Sequence, residues 1–213
     1  MASDIYGTLH MNEKEKIWII LPYGNERGGL ETIAAKLIDR ISKGHGRRCI
    51  ISIPRHTTSM EYTANFDKKL CTIDWMITGH GLRGSYLLWS AVALFGTLVR
   101  LLMFRPKLVI INLPFAFGCL GPMLALALAG QKTIAIHHHA APLEECSSIL
   151  RRVYQWVFRR NQTWVAVSDD ARIGLARFYG VNADLIKRIY NGLPPLSLET
   201  GSQSLRSELG VQQ

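Results

Sequence analysis

The sequence has no C-x-x-C pair, no G-x-G-x-x-G run, no internal repeat and no apolar signal core at its start. Its four cysteines, Cys49, Cys71, Cys119 and Cys146, each lie in or near an apolar stretch. Buried free thiols in a reducing compartment are therefore expected, not a disulfide scaffold. The polar opening MASDIYGTLHMNEKEK argues against secretion. The sequon Asn161-Gln162-Thr163 then carries no meaning. Without the dinucleotide glycine pattern, a nicotinamide-dependent oxidoreductase is disfavoured. That class also wants an acidic residue after the second strand, where Pro54-Arg55-His56 stands. Acidic side chains are scarce as well. Sixteen Asp and Glu against 25 Lys and Arg leave a formal charge of +9. A surplus of this size asks for an anionic partner: phosphate, nucleic acid or a membrane surface. Base-stacking motifs are not evident, so nucleic acid is not expected. The one apolar run near spanning length, 86–104, is interrupted by Gly96, Thr97 and Arg100. A buried or membrane-touching helix is expected there, not a span.

What is present is enough to fold. Of 213 residues, 48% are hydrophobic and 19% charged, which excludes a disordered composition. Short apolar runs alternate with stretches of helical period. Strands are predicted at 17–21, 49–53, 71–77, 107–112, 132–137, 163–167 and 185–190. Helices are predicted from Ile33 to Ile41, then over 86–104, 118–129, 143–160 and 171–179, while 55–69 reads as a long loop. This order predicts an α/β fold with a doubly wound, Rossmann-like, mostly parallel sheet. The strands are continuous apolar runs, as in a sheet covered on both faces. Residues 1–15 read as a polar extension, 16–194 as the domain, and 195–213 as a linker toward a further domain.

Ligands of such sheets gather at the carboxyl ends of the strands. Tyr23 to Glu31 (YGNERGGLE) follows the first strand, and its Gly28-Gly29 pair lets backbone approach a ligand. Amides at a helix start favour phosphate, though the same segment also suits a plain surface turn. His137-His138-His139 follows another strand and offers neutral hydrogen bonding or proton transfer near pH 7. No metal is expected: neighbouring histidines on extended chain point to opposite faces, and no second Cys/His cluster accompanies them. Ser168 and Asp169 read first as helix caps, with a ligand contact by Ser168 as an additional role. Arg151, Arg152, Arg159 and Arg160 surround Trp156 on one side of a helix. This suits an anionic membrane interface or a solvated charged face; Arg83, Arg100, Arg105 and Lys107 would extend the patch.

Gly28-Gly29-Leu30-Glu31 resembles the G-G-x-E loop of retaining glycosyltransferases of the GT-B fold, family 4 in particular. The segment VAVSDDARIGLARFYGVNADLIKRIYNGL (165–193) is very similar to the end of that family's first domain. The resemblance implies the acceptor-side half of an enzyme that moves a sugar from a nucleotide-sugar to a saccharide or lipid-linked acceptor, with retention. It implies that Gly28 and Gly29 lie against the donor diphosphate. His137 would sit near the transferred sugar, with His138 as the alternative register. Arg27, Glu31, Ser168 and Asn191 are candidate acceptor or donor contacts. It implies no cofactor beyond the nucleotide-sugar substrate, and a cytoplasmic place on the inner face of a membrane. It also implies a C-terminal donor domain, in the same chain or another. A membrane-bound binding subunit of a split transferase is the alternative reading.

Overall fold

A computed structural model describes residues 16–22, 29–55, 57–64, 66–76, 86–114, 119–139 and 146–191. The polar extension, most of the first glycine loop, the second one (Gly79, Gly81, Gly84) with Arg83, and the linker fall outside them. The strands are β1 (Lys16–Ile20), β2 (Arg48–Pro54), β3 (Cys71–Met76), β4 (Leu108–Leu113), β5 (Thr133–His137), β6 (Gln162–Ala166) and β7 (Lys187–Arg188). The helices are α1 (Gly29–His45), α2 (Thr57–Thr63), α3 (Tyr86–Phe104), α4 (Leu120–Leu128), α5 (Ser148–Phe158) and α6 (Asp169–Tyr179).

All pairings are parallel, in the order β3-β2-β1-β4-β5-β6-β7. The chain winds outward from β1 to β3, crosses back through α3, and winds the other way from β4. The carboxyl ends of β1 and β4 therefore flank the topological switch point, where parallel sheets open a crevice.

Two cores cover the two faces. Ile17, Ile19 and Leu21 point to one face, with Ile51, Ile53 and Ile110, and pack under Ala34 and Ile38 of α1. Trp18, Ile20, Val109, Ile111, Leu113, Ala135 and Trp164 point to the other, under α3, α4, α5 and α6. Alternation by single residues along each strand sets these assignments. The helix side of the first core is a straight stripe, Leu30, Ala34 and Ile38, repeating every turn.

Local stops are those the residue types dictate. Gly46, Gly130 and Gly180 take left-handed backbone after α1, α4 and α6. Ser168 caps α6, its oxygen accepting from the Ala171 amide at 3.0 Å. Two expectations need correcting. The segment read as a loop at 55–69 contains α2, seven residues too short to show a period, held where the Tyr62 hydroxyl donates to the Glu31 carbonyl at 2.9 Å. The last strand shrinks to Lys187–Arg188, because Ala183–Leu185 turns into a 3-10 helix under an Asn182 cap.

Arg100, which interrupts the apolar helix in the sequence, is not part of a surface patch. Its Nε donates to Asp74 at 2.7 Å, and Asp74 accepts from Ser52 at 2.5 Å, which accepts from the Trp18 indole at 2.7 Å. This chain of bonds ties α3 to three strands. The four cysteines are free and buried. Among the described residues no helix is long and apolar enough to cross a membrane.

Candidate functional site

β1 ends at Ile20, and α1 starts at Gly29 on the face that also carries Ile110 and Ile136. The first amides of α1 thus open at the switch point. A helix start carries unpaired N–H groups and the positive end of the helix dipole, so it favours an anion. Gly29 is the first residue of this helix; Arg27 and Gly28 lie outside the described residues. Glu31 sits in the first turn.

The histidine triplet splits across the sheet. Along β5, Thr133, Ala135 and His137 are buried while Ile134 and Ile136 are half-buried. His137 belongs to the buried series. Its ring lies 5.3 Å from Trp164 and 6.3 Å from Tyr179, fully enclosed, and neither ring nitrogen has a partner among the described residues. Burial, with a smaller push from His138, lowers its pKa to about 3. His137 is therefore a neutral core residue under α6, and the expectation that it meets the transferred sugar is corrected. The cause is the one-residue alternation of strand side chains.

His138 is next in line and takes the other face, the one bearing α1. Its backbone amide donates to the Leu113 carbonyl at 3.0 Å, which continues the β4–β5 ladder past the end of β5. Its Nε2 lies 3.3 Å from Oδ1 of Asn112. Asn112 faces Ile136 in the register and is fully buried. The reading of the sequence took Asn112 as the end of a strand and missed it. An asparagine closing an otherwise apolar run (KLVIIN) was the available signal. Burial, then His139, lowers the His138 pKa to about 4, so it is neutral at pH 7. A neutral imidazole can donate or accept one hydrogen bond from each nitrogen according to its tautomer. Nδ2 of Asn112 and Nδ1 of His138 are buried without partners among the described residues. Each such atom costs about 1–3 kcal/mol in a folded chain.

The remaining candidates separate. The Ser168 oxygen is occupied as the α6 cap. Asp169 accepts from Tyr190 at 3.2 Å and pairs with Arg188, whose hydrogen bond holds its carboxyl below the usual range. Asn191 is exposed just beyond. Arg151 leaves the expected arginine patch: its Nη2 donates to the Arg177 carbonyl at 3.3 Å, beside the α6 C-terminus. Arg152, Arg159 and Arg160 are exposed, with Arg160 stacked 5.0 Å over half-buried Trp156. A cavity of about 170 Å³ between α3 and the sheet, lined by Trp18, Ile20, Met76 and Gly96 among others, lies on the face away from Asn112 and His138.

The family model for Glycosyltransferase Family 4 matches residues 27–195. No curated protein matches in sequence. Among solved structures, a Rickettsia africae glycosyltransferase superposes with TM-score 0.64 at 16% identity, covering 95% of this chain and 51% of that one. Anabaena HepE in complex with UDP and glucose superposes at 0.53 with 18% identity, over 92% and 50%. A putative UDP-N-acetylglucosamine 2-epimerase from Listeria monocytogenes reaches 0.55 with 13% identity, over 81% and 44%. The chain spans about half the length of these structures.

Proposed function

The chain belongs to glycosyltransferase family 4, and from that footing we propose that it is the acceptor-side half of an enzyme transferring a sugar from a nucleoside-diphosphate donor, with retention, to a hydroxyl of a saccharide or lipid-linked acceptor. The observation that carries the reading is that α1 and the Asn112–His138 pair lie on one sheet face, with the α1 start and the pair both at the carboxyl ends of the strands. The amides of the first turn of α1 supply charge stabilisation for a departing diphosphate. Neutral His138 supplies a hydrogen bond to a sugar hydroxyl and adds no positive charge beside the donor. HepE binds UDP and glucose, so a uridine diphosphate sugar is the first donor to try. Most of the nucleotide grip would come from a second lobe.

The reading includes attachment to an anionic membrane surface on the cytoplasmic side. Leu88, Val92, Phe95, Val99, Leu102 and Met103 form one exposed apolar stripe along α3, with Leu102 76% exposed and Phe95 67%. Leu128 of α4 is exposed too, and Arg105 and Lys107 follow α3 at its end. An uncharged stripe bordered by cations suits the boundary between acyl chains and anionic headgroups. Arg152 of α5, with Arg159 and Arg160 just after it, are exposed cations on a helix covering the same face of the sheet.

The test is a titration of the isotope-labelled chain with UDP, GDP and UDP-glucose, followed by NMR. The expected result is movement of the amides at the start of α1 together with the His138 ring. Movement only at the edges of the sheet, or no response to any of the three at millimolar concentration, removes this reading.

A further inference from the structure

We propose that Asn112 is a positioning residue: its side-chain oxygen keeps the His138 proton on Nε2, and so leaves Nδ1 as the acceptor nitrogen of the ring. The inference stands apart from the transferase reading above.

The argument begins with the backbone. The β4–β5 register sets Asn112 opposite Ile136, two residues before His138 on the same face. The bond from the His138 amide to the Leu113 carbonyl fixes where the imidazole starts. With Oδ1 of Asn112 3.3 Å from Nε2, only a protonated Nε2 makes a hydrogen bond, since two acceptors repel. A neutral imidazole carries one proton, so Nδ1 must then be the acceptor. Burial, then the neighbouring His139, keeps the ring neutral, and its pKa falls to about 4.

Two atoms of this pair remain without partners among the described residues, the Asn112 Nδ2 donor and the His138 Nδ1 acceptor. Asn112 is fully buried and its side-chain oxygen lies against the His138 ring, so it serves to orient the ring.

The test is spectroscopic and needs no substrate. Long-range nitrogen–proton NMR spectra of the imidazoles distinguish the two neutral tautomers directly. The wild-type chain is expected to show His138 with Nε2 protonated from pH 8 down to about 5. Asn112→Leu keeps the shape but removes the acceptor, and the expected result is a mixture of tautomers. Asn112→Asp keeps an acceptor and adds a charge; the expected result is the Nε2–H tautomer with a His138 pKa raised by about 1–3 units. Circular dichroism checks that each variant folds. A wild-type His138 protonated on Nδ1, or an Asn112→Leu spectrum identical to wild type, overturns the proposal. Because these spectra are taken without donor, absence of nucleotide binding would remove the transferase reading and leave the tautomer result to decide Asn112 by itself.

Discussion

His137 and His138 are neighbours in the chain and strangers in the structure. The first is enclosed between Trp164 and Tyr179, the second lies across the sheet against Asn112. Substitutions should separate them. His137→Phe keeps the ring packing and removes two buried nitrogens, so it is expected to hold or raise the urea midpoint. His138→Ala is expected to leave the midpoint nearly unchanged and to lower sugar transfer about tenfold, the size of one lost neutral hydrogen bond at about 1.4 kcal/mol. The two histidines also set a pH dependence. Their folded pKa values, about 3 and about 4, lie below the unfolded value of 6.5. The unfolded chain therefore binds more protons in that window. Stability is complete above pH 6.5 and falls as the pH drops toward 4, by up to about 1.4 kcal/mol per pH unit for each ring. Urea unfolding at successive pH values measures the slope, and His137→Phe should remove roughly half of it. A slope untouched by His137→Phe would show that the ring is not buried as described.

At the scale of elements, α3 and α4 are in unusually close contact, and a glycine permits it. A Cβ on Gly121 would meet the Ser90 carbonyl oxygen and, at 3.0 Å, the Leu94 nitrogen. Both are backbone atoms and cannot rotate away. Gly121→Ala should push the two helices apart at a cost of about 1–3 kcal/mol, the usual range for overpacking. Calorimetry should record a Tm several degrees lower. An unchanged Tm would mean that the helices do not approach so closely. The elements themselves were largely legible from sequence. The bounds of α3 coincide with the apolar run 86–104, because a nineteen-residue run is long enough to show its period. The helix α2 was not legible, since seven residues packed by one tyrosine carry no periodic signal. Arg100 was misread for a related reason. Its partner Asp74 lies 26 residues away, on a strand brought near only by the fold.

At the scale of the whole molecule, a charge of +9 and an exposed apolar stripe on α3 meet on one body. The expected outcome is co-flotation with vesicles rich in phosphatidylglycerol and little binding to neutral ones. Phe95→Glu with Leu102→Glu should abolish it, since each side chain contributes about 1.5–3 kcal/mol when buried in apolar surroundings. Replacing Arg152, Arg159 and Arg160 by Ala should weaken binding by about 1 kcal/mol per charge and reduce its sensitivity to salt. Full binding by the glutamate variant would move the contact away from α3.

Alternation of strand and helix, the covered parallel sheet and the glycine-led helix start after β1 were all determined by the sequence, because each depends on neighbours within a few turns. Which histidine faces the α1 side, that Asn112 stands against it, and that Arg100 and Arg151 are taken up by Asp74 and the Arg177 carbonyl were decided only by tertiary structure. Those outcomes depend on strand register and on partners distant in the chain, and no local pattern of residues encodes either.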